Sequence, residues 1–137
     1  MISTRGRYAI RVLLDIAENG QTSCVRMKDV AARQEISLKY LERLATALTQ
    51  SGLIVGVHGK GGGYRLTRSP EEYAVLEILS VMEGDLAPVA CLQCKAPPCP
   101  RAENCKTLPM WKELNRRLSA FFADITLADL LNGRFNL

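Results

Sequence analysis

The stretch from Pro88 to Pro109 carries four of the chain's five cysteines (Cys91, Cys94, Cys99, Cys105) and five of its six prolines. Proline lacks a backbone donor and its ring disrupts a helix interior, so this density of prolines leaves no room for a regular helix or strand. A connection this long inside a small chain is usually either functional or disordered. Four closely spaced thiols favour function, and the segment is a candidate metal-binding loop.

The remaining composition is that of an ordinary globular protein: 137 residues, 47% apolar and 23% charged, enough for one domain or a small domain with an arm. No apolar run approaches the roughly 18 residues of a membrane span, and the N-terminus lacks the apolar segment and cleavage site of a secretory signal. The expected location is the cytoplasm, with no membrane partner. Thiols stay reduced there, so clustered cysteines are expected to be metal ligands or redox centres rather than disulfides. Charge is unevenly spread. Residues 1–70 hold 11 Lys and Arg against 5 Asp and Glu, a balance of +6, whereas residues 71–137 hold 7 against 9, a balance of −2. A basic module joined to a slightly acidic one suggests a polyanion-binding part and a regulatory or assembly part, although ordinary surface charge gives the same totals.

Tyr8, Val12, Leu13, Ile16 and Ala17 recur at helical spacing and Asn19-Gly20 supplies a stop, which predicts a first helix from about Thr4 to Glu18. A second is expected over Met27–Gln34. Ile36-Ser37 then breaks the pattern, and Ser37 is a good N-cap for a third helix from Leu38 to about Gln50. Leu41, Leu44, Ala45 and Leu48 form its apolar stripe, leaving Lys39, Tyr40, Glu42, Arg43 and Thr46 on other faces. Two short helices joined by a tight turn, the second presenting Lys, Tyr and Arg near its start, match a helix-turn-helix, whose second helix reads base edges in the major groove. The same hairpin of helices also serves as plain scaffolding.

Two short strands, Leu53–Val55 and Tyr64–Leu66, are predicted to flank His58-Gly59-Lys60-Gly61-Gly62-Gly63. The glycines allow close approach of the backbone to a surface, and the lysine suits a phosphate or a minor groove. No GxxxxGK[ST] loop is present, so this is not a nucleotide-binding turn. Helix-turn-helix followed by a basic hairpin is the winged-helix arrangement. Ser69-Pro70-Glu71-Glu72 has the cap, proline and acids of a helix start, leading to a fourth helix over roughly Ala74–Met82. Beyond the cysteine loop, Met110–Ala123 is amphipathic, with Trp111, Leu114, Leu118, Phe121 and Phe122 on one side and Arg116 and Arg117 on the other. A second copy of the chain would cover that apolar side; packing back onto the same domain is the alternative. Thr126 to Asp129 resembles a capping box opening a last short helix.

The expected fold is therefore mainly α: a winged helix-turn-helix with a small two-stranded wing and a long C-terminal dimerisation helix. Its expected parts are a DNA-binding domain over residues 1–84, a cysteine-rich cluster-binding loop over 85–109, and a dimerisation helix with a short final helix over 110–137.

The thiol spacing is Cys91-x2-Cys94-x4-Cys99-x5-Cys105. Thiolates are soft charged donors that bind zinc and iron-sulfur clusters. Structural zinc sites usually show two CxxC knuckles or Cys/His pairs. Here there is one CxxC, and the only histidine, His58, lies on the wing. The uneven gaps and the Cys99-Pro100 step fit a cluster better than a zinc ribbon, with thiol redox switching at Cys91 or Cys94 as a further reading. Cys24 stands apart and is assigned no role.

Together, Ser3-Thr4-Arg5-Gly6-Arg7-Tyr8-Ala9, Ile36-Ser37-Leu38-Lys39-Tyr40-Leu41-Glu42, Lys60-Gly61-Gly62-Gly63-Tyr64-Arg65-Leu66 and the segment from Cys91 through Cys99-Pro100-Arg101-Ala102-Glu103-Asn104-Cys105-Lys106-Thr107 to Trp111 resemble the Rrf-type winged-helix regulators, over nearly the whole chain. They are most similar to the IscR-like branch, bacterial homodimeric repressors that sense iron-sulfur status, iron or nitric oxide. The resemblance implies an iron-sulfur cluster, 2Fe–2S in preference to 4Fe–4S, held by Cys91, Cys99 and Cys105. It also implies that Ser37, Lys39, Tyr40, Glu42 and Arg43 face the major groove of double-stranded DNA, and that His58, Lys60 and Gly61 of the wing face the minor groove. In the family the glutamate matching Glu42 helps set which promoter class is bound with and without cluster; a carboxylate there repels phosphate and can accept from cytosine. Leu108 stands where a well-known member carries a histidine ligand, and Arg7 where some relatives supply an aspartate. The fourth ligand stays open between Cys94, Glu42 of a partner copy and an exogenous group. His58 replaces a wing arginine.

The function expected from these features is a homodimeric regulator reading a pseudo-palindromic operator and sensing cluster, iron or redox status. A cluster-free regulator answering to thiol oxidation or to a sulfur-metabolism partner is the main rival. A small iron-sulfur carrier would have no use for the basic hairpin, and no plausible nucleophile-base pair supports an enzyme.

Overall fold

The computed structural model describes residues 1–134; residues 135–137, at the end of the last expected part, lie outside the described residues. Among the described residues, six α-helices and one two-stranded antiparallel sheet follow in the order α1 (Thr4–Asn19), α2 (Met27–Gln34), α3 (Leu38–Gln50), β1 (Ile54–Val57), β2 (Gly63–Leu66), α4 (Val75–Glu83), α5 (Leu108–Asp124) and α6 (Leu127–Asn132). The mainly α winged-helix fold expected from the sequence is the fold observed. Strand β1 begins one residue and ends two residues later than the pattern placed it, and β2 begins one residue earlier. Leu53 is buried and its amide bonds the Leu48 carbonyl, which closes α3 rather than opening the strand. Ser69-Pro70 begins a separate single turn over Pro70–Glu72, and α4 starts only after Tyr73 and Ala74 pass through extended backbone.

The core is built from the apolar stripes of the helices. Ala9, Val12, Leu13 and Ile16 of α1, Val30 of α2, Leu41, Leu44, Ala45 and Leu48 of α3, Ile78 and Met82 of α4, and Leu127 of α6 form one cluster. Each fully buried Leu or Ile contributes about 1.5–3 kcal/mol, so this single cluster carries the domain. Between α2 and α3 the backbone turns through Glu35 in the left-handed region (φ 54°), and Ser37 then caps α3 by accepting from the Tyr40 amide at 3.3 Å. That turn sets α3 across α2.

The wing is anchored at its base. Val25, in the link between α1 and α2, exchanges two backbone bonds with Tyr64 (2.8 and 2.7 Å) and acts as a third short strand. Gly63 has φ 148°, and a Cβ there would lie 2.6 Å from the Val25 carbonyl oxygen, so only glycine allows this approach. Tyr73 is fully buried, and its hydroxyl donates to the Leu53 carbonyl at 2.7 Å and accepts from the Thr67 amide at 2.9 Å, tying the end of the wing to the start of α4. The Val75 amide bonds the Ile125 carbonyl and the Leu127 amide bonds the Tyr73 carbonyl, so α6 is stitched to the head of α4 and closes the core against α1. α5 runs along α4 and buries no residue fully. No helix among the described residues is long and apolar enough to cross a membrane.

Candidate nucleic-acid interface and cysteine loop

α3 presents its polar side outward. Ser37, Lys39, Glu42 and Arg43 are exposed and Tyr40 is half-buried, while Leu41 and Leu44 on the opposite side lock the helix to the core. The Ser37 oxygen is used for capping, which leaves its O–H free to donate. Tyr40 is fixed edge-on against Tyr8 of α1 with ring centroids 5.7 Å apart, and the Arg43 guanidinium lies 5.7 Å from the Tyr40 centroid on its face. None of Lys39, Glu42 and Arg43 is in an ion pair among the described residues. A helix face of this kind has its donors and acceptors available to an incoming ligand.

At the wing tip His58, Gly59, Lys60 and Gly61 are all exposed. Gly59 and Gly61 take φ of 93° and 77°, values that side chains rarely adopt, and the Gly62 amide closes the turn on the Gly59 carbonyl at 3.0 Å. The tip faces a polar hollow that also includes Arg26 and Asp29 of the α2 start, and Arg26 pairs with Asp29 at 3.3 Å. Arg26 therefore adds a cation beside Lys60 that no local motif indicated, because only the Val25–Tyr64 pairing brings the two segments together.

The cysteine loop is irregular apart from single turns at Ala90–Leu92 and Ala102–Asn104. All five cysteines are free thiols; Cys91, Cys94 and Cys99 are exposed, and Cys105 and Cys24 half-buried. The loop is organised from Asp85, whose carboxylate accepts from the Cys94 amide at 2.6 Å and the Ala87 amide at 2.8 Å, bonds that hold this carboxyl below its ordinary range. The Thr107 hydroxyl, 3.4 Å from Cys105 Sγ, and then the Thr107 amide draw the Cys105 thiol below its ordinary pKa, with smaller help from the Leu108 amide and Arg101. Among the described residues no three His, Cys, Asp or Glu side chains stand together as a metal-holding group. By donor chemistry the loop still fits an iron-sulfur cluster: soft thiol donors, none of them tied up in a disulfide among the described residues, and backbone free of long regular structure that would hold the thiols apart.

α5 leaves a continuous apolar side open. Met110, Leu114 and Phe121 are exposed, Trp111, Leu118 and Phe122 half-buried, and Phe121 packs edge-on against Phe122 at 5.4 Å. Leu118 and Phe122 also line a hollow of about 360 Å³ with Ile2, Leu86 and Pro88, between the N-terminus and the head of the cysteine loop. The opposite side is held by Glu113, which accepts from Arg116 and Arg117 at 2.7 Å each and is lowered to about 2 by them.

A helix-turn-helix with an anchored basic wing, followed by a thiol-rich loop and an open apolar helix, defines a winged-helix DNA-binding regulator. The chain belongs to the Rrf2 family, described as iron-dependent transcriptional regulators, whose pattern matches residues 2–133. It is 38% identical over 133 residues to the HTH-type transcriptional regulator IscR of Klebsiella pneumoniae (strain 342), covering 97% of this chain and 80% of that protein, and 37% identical over the same length to IscR of Escherichia coli O1:K1. Among solved structures it resembles CymR, the global cysteine regulator of B. subtilis (TM-score 0.81, 27% identity, 98% of each chain), and T. potens IscR (TM-score 0.75, 28% identity, 97% of this chain and 87% of that one). Proteins of this family are transcriptional regulators, not enzymes.

Proposed function

We propose that this chain is a cytoplasmic, homodimeric transcriptional regulator that binds double-stranded DNA at a pseudo-palindromic operator and senses iron-sulfur, iron or redox status through a cluster held by Cys91, Cys99 and Cys105. What supports this is the presence, in one small chain, of an uncovered polar face on α3 beside a basic wing and of four free thiols on one irregular loop. Lys39, Glu42 and Arg43 address base edges and Ser37 and Tyr40 the flanking backbone, while His58, Lys60 and Gly61 approach the adjacent minor groove. The apolar side of α5, carried by Trp111, Leu114, Leu118, Phe121 and Phe122, pairs with its copy in a second chain, which places two recognition helices on two half-sites.

An iron-sulfur cluster, 2Fe–2S in preference to 4Fe–4S, supplies a group whose integrity depends on iron, oxidants and nitric oxide. Cys91, Cys99 and Cys105 hold it, with Cys94 as the additional thiol. The chain's own residues carry the coupling. Asp85 ties the loop to the end of α4, and Cys105 lies three residues ahead of α5. A rearrangement that gathers the thiols therefore acts at once on α4, on α5 and on the dimer face.

The second reading, a cluster-free regulator answering to thiol oxidation or a sulfur-metabolism partner, is favoured by the ungathered cysteines and by the likeness to the cysteine regulator CymR. The test compares wild type, reconstituted without oxygen, with a variant carrying Cys91→Ser, Cys99→Ser and Cys105→Ser. Binding to a pool of random duplexes is followed by selection and sequencing. Iron and sulfide are expected in the wild type only, with different selected sequences or affinities for the two proteins. Equal binding by both to every selected duplex removes the cluster from the regulation.

A further inference from the structure

A cleft of about 310 Å³ opens between the first turn of α1 and the first half of α3, lined by Arg5, Tyr40, Arg43 and Leu44. Its chemistry is that of an anion site. Arg5 is exposed, and neither it nor Arg43 is paired with a carboxylate among the described residues. The wall between the two cations is preorganised. Tyr40 is pinned edge-on by Tyr8, Tyr8 is itself covered by the Arg11 guanidinium at 5.1 Å, and Arg11 is fastened to Gln34 of α2 through both the Gln34 side chain and its carbonyl. The amides of Ser3 and Gly6 are already taken by the Glu83 carboxylate, so an anion arriving here meets guanidinium and phenol groups rather than the helix end.

We propose that this cleft seats one backbone phosphate of the DNA duplex, with Arg5 as a positioning residue that clamps α1 to the same strand α3 reads. It rests on the DNA-binding reading and extends it to a helix outside the helix-turn-helix and the wing. Guanidinium forks suit phosphate oxygens, and a contact to the sugar-phosphate backbone fixes register without reading sequence. The cleft opens beside the uncovered face of α3, which is where a duplex strand would run. A free inorganic anion shares the chemistry, and the test separates the two sources.

The experiment measures binding of wild type, Arg5→Ala, Arg5→Lys and Arg7→Ala to a random-sequence duplex across a salt series, with melting curves to confirm folding. Arg5→Ala is expected to lower affinity about tenfold and to reduce the salt slope by about 0.9, the value of one phosphate contact, with the selected base preference unchanged. Arg5→Lys keeps the slope and recovers only part of the affinity. Equal losses for Arg5→Ala and Arg7→Ala, or an unchanged slope in Arg5→Ala, overturn the assignment. So does inorganic phosphate that perturbs Arg5 in the free protein while the DNA slope is indifferent to Arg5. Absence of duplex binding by wild type itself removes the DNA-binding reading instead, a distinguishable failure.

Discussion

Glu83, the last residue of α4, accepts both the amide and the hydroxyl of Ser3 at 2.8 Å, and the Gly6 amide at 3.1 Å. A carboxylate from the helix that leads into the cysteine loop thus caps the helix that packs against α3. Negative charge at a helix N-terminus is favourable, and three donors on one carboxylate make the join specific. The end of α4 and the first turn of α1 are thereby joined by three hydrogen bonds.

Gly6 is the residue this join depends on. A Cβ there would lie 2.3 Å from Glu83 Oε1 and 3.0 Å from Leu79 Cδ2, so the carboxylate must leave its three donors to make room. Although alanine is the better helix former by about 1 kcal/mol, Gly6→Ala is expected to destabilise the fold by a net of about 1–2 kcal/mol. Urea unfolding checks this; equal or greater stability would show that the join is dispensable.

Burial opposes ionisation of Glu83, but the Ser3 hydroxyl and amide and the Gly6 amide outweigh it and hold the carboxyl below its ordinary value of 4.5. The lowered value means this contribution is present above the unfolded pKa and lost as pH falls through the folded one. Glu83→Gln should therefore melt lower than wild type at neutral pH, with a gap that narrows on the acid side below about pH 4. A gap that is constant with pH would contradict the assignment.

Asp15 is buried at 1% exposure and receives Arg33 at 2.6 Å, Gln34 at 2.9 Å and Asn19 at 3.4 Å, whereas the Arg33 side chain remains 40% exposed. Removing the two partners should not cost the same. Arg33→Ala leaves a buried carboxylate short of its cation and is expected to cost about 3 kcal/mol; Asp15→Ala leaves an arginine that water can solvate and should cost about 2. Denaturant titration of both variants and the double variant measures the asymmetry.

On the DNA side, Lys60→Ala is expected to weaken binding to all duplexes alike, because a lysine at a glycine-rich tip meets phosphate or groove floor without a base partner. Glu42→Ala should change which sequences are preferred. Selection from a random pool distinguishes the two, and an unchanged preference in both Glu42→Ala and Arg43→Ala would remove α3 from base reading.

The helix-turn-helix was legible because its signals are local: apolar periodicity over α1 and α3, and Ser37 as a cap. The wing was legible from its glycines, though not its third strand, since the Val25–Tyr64 pairing is a contact across 39 positions. The cysteines were found by composition alone. Asp85 and Arg26 were not, because each acquires its role only when the fold brings a distant segment against it. Arg5 stood in plain view in the N-terminal motif, but nothing in its neighbours along the chain says that Tyr40 and Arg43 lie across from it.

The most direct test of the central reading is a native mass spectrum of the protein isolated without oxygen, since subunit count and bound mass are read together. The expected species is a dimer carrying iron and inorganic sulfide, with that added mass lost when Cys91, Cys99 and Cys105 are replaced by serine. A dimer with no added mass, also after attempted reconstitution, would contradict cluster sensing.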